Sequence, residues 1–228
     1  MMRKPVRIIK QESTIKAVWL LIAWVSFVFL SAVPVWSEDH GQESAEHLSK
    51  LALQACHEGR STTNRADQVA YFQRAQRLAE RAVQLNDQVA DAHFALFCAL
   101  GEQMRVDGEL LTSVWEFNRM MEALDRALAL DPHHLDALSS KGTLLVKLPW
   151  LLGGDPERGE KMLRQVLQTD RTAINARLVL AEQCLSRGEK KEALTLAKEA
   201  LRYALQKHRQ DLIPEARRTL NDIQSRLR

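Results

Sequence analysis

The chain has 228 residues, with Lys+Arg 32 against Asp+Glu 29, a formal net charge of +3, and 46% hydrophobic residues. That is ample material for one elongated domain. Once the charges are located, no basic surplus remains to steer the protein to nucleic acid. The three cysteines, Cys56, Cys98 and Cys184, are odd in number and far apart, which excludes a complete disulfide framework.

Arg3, Lys4, Arg7, Lys10 and Lys16, opposed only by Glu12, precede an apolar run over residues 17–32, and Pro34-Val35-Trp36-Ser37-Glu38-Asp39 then restores polarity. This is the layout of an export signal: a positive start stays on the cytoplasmic side, the apolar segment partitions into the bilayer, and small residues fit a peptidase. Val35 and Ser37 fit the −3 and −1 positions. Cleavage after Ser37 removes five positive charges and one negative, taking the net charge from +3 to −1 and leaving 191 residues. The alternative is an uncleaved inner-membrane anchor over residues 17–36, since about 20 apolar residues span a bilayer. No cysteine stands near the end of the apolar run, so a lipoprotein acylation site is absent.

Residues 38–43 read as a polar arm, and residues 44–57 as a first helix with Leu48, Leu51, Ala52 and Ala55 on one side. Residues 59–64 are rich in turn formers. Asn64 is placed to cap a second helix carrying Ala75, Leu78, Ala79, Ala82 and Leu85. A third helix, residues 89–104, shows Ala92, Leu96, Ala99 and Leu100 and ends before Asp107-Gly108. Its partner, residues 111–130, contains Trp115, Phe117, Met120 and Met121, the mark of an extended, packed helix.

Ala123 to Leu138 is a joint. Leu124, Ala127 and Leu128 share one helical face, Asp131-Pro132 stops that helix, and Leu135, Leu138, Gly142 and Leu145 begin the next face. The segment Leu148-Pro149-Trp150-Leu151-Leu152-Gly153-Gly154-Asp155-Pro156 then interrupts the pattern. Its end is sharp, with Asp155 as N-cap and Pro156 as first helical residue ahead of Met162, Leu163, Val166 and Leu167. Its apolar half is expected to fold back over the helix pair and close one end of a groove or cavity, Gly153-Gly154 making the reversal.

The last pair is the most regular, with Leu180, Ala181, Cys184, Gly188, Ala193, Ala197, Ala200 and Leu201 in order. Gly188 supplies the turn, and the alanines let two helices approach closely. Small or apolar residues recur at Ala82, Ala127, Val166 and Ala200, at spacings of 45, 39 and 34. Residues 211–228, with Leu212, Ala216, Leu220, Ile223 and Leu227 backed by arginines, read as a capping helix. No alternating, strand-like run appears, so the expected class is all-α.

No sequence motif carries chemistry. Neither a nucleophile with its base nor a phosphate-cradling glycine loop is present, and the protein is expected to be no enzyme and to use no cofactor or metal. His133-His134 are turn neighbours that point different ways, and Cys56-His57 lie about 100° apart on a helix. Gly153-Gly154 lacks a following Lys-Ser/Thr, and Asp155 opposes an anion there. Cys98 and Cys184 fall on apolar faces as small core residues; a bridge between them turns on their distance. Arg217, Arg218, Arg226 and Arg228 are diluted by Asp211, Glu215 and Asp222 into a solvated face.

The Ala127-Leu128-Ala129-Leu130-Asp131-Pro132 joint and the regular fourth unit resemble tetratricopeptide repeats, whose period is about 34 residues. The resemblance implies an α-solenoid of about four helix hairpins over residues 44–210, with residues 211–228 as the cap. In that family the first helix of each pair lines a concave groove that binds peptides or proteins. By position the groove residues are Phe94, Cys98, Asp136, Ser139, Thr143, Asn175, Leu178 and Glu182. The family's carboxylate clamp needs Lys and Asn at such places, where this chain has Phe94, Ser139 and Leu178.

The loop containing Trp150, Gly153, Gly154 and Asp155 also resembles the tetratricopeptide component associated with periplasmic TRAP transporters. Two expectations follow: an exported, periplasmic protein-interaction scaffold, or a solute-uptake accessory with a ligand cavity, whose partner would be a periplasmic solute-binding protein. Contact with a membrane is expected only through an uncleaved N-terminal segment. An apolar cavity lined by Trp150, Phe94 or Trp115 would favour the second, and an open polar groove the first.

Overall fold

The computed structural model of the chain describes residues 44–108 and 114–226; the expected leader and polar arm, residues 1–43, lie outside the described residues. Among these, nine α-helices follow one another: α1 Ala45–Ser61, α2 Arg65–Leu85, α3 Ala90–Asp107, α4 Val114–Leu130, α5 Leu135–Lys147, α6 Pro156–Thr169, α7 Ile174–Ser186, α8 Lys190–Gln206 and α9 Ile213–Ser225. The architecture is all-α, built of sequential helical hairpins. Helices α1/α2, α3/α4, α5/α6 and α7/α8 form consecutive hairpins, and α9 packs on α8 and α7. Residues Glu43–Arg228 make one compact unit holding these hairpins and their core.

Local chemistry sets the helix starts. Ser44, Asn64 and Asp155 each accept a hydrogen bond from a backbone N–H of the first turn, from His47 (3.1 Å), Ala66 (2.9 Å) and Arg158 (3.0 Å). At α5 the cap is His134, whose Nδ1 accepts from the Ala137 N–H at 3.3 Å. Gly188 closes the α7–α8 turn at φ 78°, a region that side chains with a Cβ rarely enter.

The first helices of the hairpins run parallel, as three cross-links show. Arg60 near the end of α1 meets Glu102 late in α3 at 3.1 Å, and Asp91 at the start of α3 meets His134 before α5 at 3.0 Å. Lys147 at the end of α5 meets Glu182 in α7 at 3.5 Å. All four within-hairpin turns therefore lie on one edge of the stack, and the turns between hairpins lie on the other.

The core is made of small residues where helices cross. Ala52, Ala79, Ala95, Ala127, Ala181, Ala193 and Ala197 are all fully buried. Helices α5 and α6 meet through two glycines: a Cβ on Gly159 would stand 2.6 Å from the Gly142 carbonyl oxygen. Gly59 corrects the sequence reading. It is no turn former but lies inside α1, where a Cβ would stand 2.5 Å from the Phe72 ring. Helix α1 runs on to Ser61, and the close approach of Phe72 leaves room only for glycine at position 59.

The loop before α6 also departs from expectation. Trp150–Leu152 form a single 3-10 turn, and Trp150 is 79% exposed and Leu151 74%. The apolar half does not fold back as a plug. The reversal itself is as expected, with Gly153 at φ 85° and Gly154 tight against the Leu148 carbonyl, 1.9 Å from where a Cβ would be. The Asp155 N–H donates to the Leu145 carbonyl at 2.9 Å, which ties the end of the loop to α5 and leaves the three apolar side chains outside.

Candidate functional site

The groove positions fall into two groups. Phe94 and Leu178 are buried: Phe94 packs with Leu124, Ala127 and Ala137, and Leu178 with Ile174, Ala200 and Ala204. Asp136, Asn175 and Glu182 are exposed, and Cys98, Ser139 and Thr143 are half-buried. Asp136, Ser139 and Asn175 converge on a cleft of about 130 Å³ between the third and fourth hairpins. Glu182 lies further along α7, paired with Lys147.

The cleft is polar for reasons of element geometry. The first turns of α5 present Asp136 and Ser139, the α6–α7 turn presents Asp170 and Thr172, and the α8–α9 connection brings in Lys207 and Arg209. Asp170 accepts from the Thr172 N–H at 2.7 Å and the Thr172 hydroxyl at 2.6 Å. Burial works to raise the Asp170 pKa, but these bonds outweigh it and hold the carboxyl below its usual range. Arg209 donates to both oxygens of Asp211, at 2.9 and 2.7 Å, a bidentate pair that fixes the guanidinium at the rim. That pairing holds the Asp211 carboxyl below its usual range, against the opposing effect of burial. Asp136 in turn acts electrostatically on Arg209 and on Cys98. The floor and rim thus offer carboxylate, hydroxyl, amide and cationic groups together.

Sequence reasoning missed two groups. His134 caps α5, meets Asp91 and packs at a tilt against Phe94 with ring centroids 4.8 Å apart, so it joins the second hairpin to the third. Lys207 and Arg209 come from the connection to the cap, and the Arg209-x-Asp211 spacing was the only local signal for them.

Cys184 is buried and Cys98 half-buried against apolar neighbours, as the sequence pattern has it, and no bridge joins them. Cys98 packs in one cluster with Cys56, and Cys184 sits in another. All three are free thiols. Burial pushes the Cys56 thiol up to about 12 and the Cys184 thiol to about 11, so neither is poised as a nucleophile. Cys184, Glu189 and Glu192 bring their ligand atoms within 4.8 Å of one another. Both carboxylates are engaged by arginines, Glu189 by Arg187 and Glu192 by Arg164. A larger depression of about 750 Å³ lies on the first hairpin beside Glu58, Asp67, Tyr71 and Arg74. It is open and shallow and includes none of the groove positions, whereas the smaller cleft gathers three.

No protein-family model and no curated protein matches this sequence. Among solved structures the chain is similar to the crystal structure of MamA, at 18% identity and a TM-score of 0.47, over 90% of this chain and 99% of that one. The helical-hairpin class therefore rests on this chain's own helices and their packing.

Proposed function

We propose that the protein is an exported scaffold that holds a protein or peptide segment in the periplasm, using the face formed by α3, α5 and α7. The observation that carries this reading is the convergence of Asp136, Ser139 and Asn175, from two successive first helices, on one open polar cleft. A cavity for a free solute is usually about 300–1,000 Å³ and mainly apolar. This cleft is smaller and rimmed by Asp170, Lys207 and Arg209, while Trp115 and Trp150 point to solvent and Phe94 is spent in the core. Those features favour the scaffold over a solute-uptake accessory. A periplasmic solute-binding protein remains a partner of fitting chemistry, since polar, hydrogen-bonding groups recognise a folded surface or an extended strand equally well.

The test is site-specific photocrosslinking in periplasmic extract. A photoreactive residue at Ser139 or Asn175 is expected to capture a discrete partner, lost with Asp136→Ala, while the same probe at exposed Arg81 on α2 captures none. Equal capture from both positions would reject the cleft as the binding surface.

A further inference from the structure

Seven large apolar side chains are exposed among the described residues, and five of them lie on the edge that carries the within-hairpin turns. Val114 and Trp115, 70% and 68% exposed, begin α4; Trp150, Leu151 and Leu152 form the turn before α6. The other two, Leu85 and Leu205, sit toward the opposite edge. Two neighbouring hairpins thus each raise a tryptophan with aliphatic company at the same edge, and Trp150 and Leu151 are the most exposed of these side chains.

We propose that this edge inserts into the interfacial region of a lipid bilayer, Trp150-Leu151-Leu152 forming the main tip and Val114-Trp115 the second. Three observations select a bilayer over another protein. In a 3-10 turn successive side chains point about 120° apart, so Trp150, Leu151 and Leu152 cannot all lie against one flat partner surface, whereas a fluid apolar medium surrounds all three. Tryptophan favours the membrane interface because its ring is apolar and its N–H still finds a polar partner. The chain also carries its own bilayer-seeking segment, residues 17–36. On the export reading proposed above, the unit is delivered beside a membrane whether or not that segment is cleaved.

Charge sets the kind of membrane contact. Residues 147–161 hold Lys147, Arg158 and Lys161 against Asp155, Glu157 and Glu160, three of each sign. The tip is therefore neutral, and its association comes from apolar insertion rather than attraction to anionic headgroups. Salt and anionic lipid content are expected to matter little.

The five tryptophans of the chain are Trp19, Trp24, Trp36, Trp115 and Trp150, so a chain begun at Glu38 keeps only the two at the proposed tips. That chain retains the whole compact unit. It is mixed with vesicles of phosphatidylcholine, alone or with phosphatidylglycerol, and followed by flotation and by tryptophan emission. The expected result is co-flotation with both, a blue shift, quenching by lipids brominated on their acyl chains, and no loss at high salt. Trp150→Ala should weaken partition by about tenfold or more, as fits the burial of one large apolar side chain, with an unchanged circular-dichroism spectrum. Absence of flotation would overturn the proposal, as would flotation that needs phosphatidylglycerol and survives Trp150→Ala. A blue shift without lipid that grows with protein concentration would assign the edge to a second copy of the chain instead.

Discussion

Between α7 and α8 the chain reverses in three residues, Arg187, Gly188 and Glu189, whereas between α5 and α6 it takes eight, residues 148–155. Both hairpins close tightly: the fourth packs fully buried Ala181, Ala193 and Ala197 against one another's helices, and the third brings the backbones of Gly142 and Gly159 together. The shorter turn shows what the fold requires, one residue of positive φ between two helices with small contact residues. The longer one meets the same requirement with Gly153, Gly154 and Asp155, and adds a 3-10 turn whose three apolar side chains face outward. The difference separates residues that make the stack from residues the stack displays.

The most severe way to break the shared plan is Ala193→Trp. Ala193 is fully buried among Leu163, Leu180, Cys184 and Ile223, and overpacking there is expected to cost about 1–3 kcal/mol or more, seen as a lower melting temperature by circular dichroism. An unchanged melt would show that the fourth hairpin is not closed by that contact.

Gly154→Ala tests the half of the long turn that does serve the fold. Its Cβ would meet the Leu148 carbonyl oxygen at 1.9 Å, and backbone at both ends of the loop would have to move. A loss of about 1–3 kcal/mol in denaturant unfolding is expected. A neutral result would mean that the loop rearranges freely and that the turn carries no structural constraint.

A smaller effect links the two hairpins. Glu160 of α6 pairs with Arg187 beyond the end of α7 and with Arg164 on its own helix at 2.8 Å. The hydrogen bond from Arg187 is the main cause that holds its carboxyl well below the usual value, to about 2, with Arg164 adding to it against the cost of burial. A carboxyl whose pKa falls on folding stabilises above its unfolded value, and that contribution is lost as the group is protonated. The loss is therefore expected as pH falls from about 4.5 toward 2. Arg187 is 41% exposed, so solvent screens the pair and the slope is modest. Glu160→Gln should flatten this part of the stability profile, and an identical slope in the variant would remove the pair from the account.

Much of this division was legible in the sequence. The Asp131-Pro132 stop, the Asn64 and Asp155 caps and Gly188 are local signals, each acting within a turn or two of itself, and all appear where the pattern puts them. The surface was harder to read. Phe94 and Leu178 occupy groove positions in the repeat but are turned into the core by their neighbours, and Lys207 and Arg209 reach the cleft from the connection between α8 and α9. Gly59 reads as a turn until Phe72, thirteen residues on, is placed against it. Trp150 reads as core because an apolar run usually is; the hydrogen bond from Asp155 to Leu145 closes the loop without it. In each case the deciding contact lies outside the local pattern.

The most direct test of the separation between stack and display is a thermal melt of Trp150→Ala combined with Leu151→Ser. Both side chains are more than two-thirds exposed, and surface changes of this kind usually stay within about 0.5 kcal/mol, so the midpoint is expected to move by no more than about 2 °C. Removing a tryptophan that packs in a core costs about 3–5 kcal/mol, which in a unit of this size lowers the midpoint by about 6 °C or more. A fall of that size would make the turn part of the core and contradict the account.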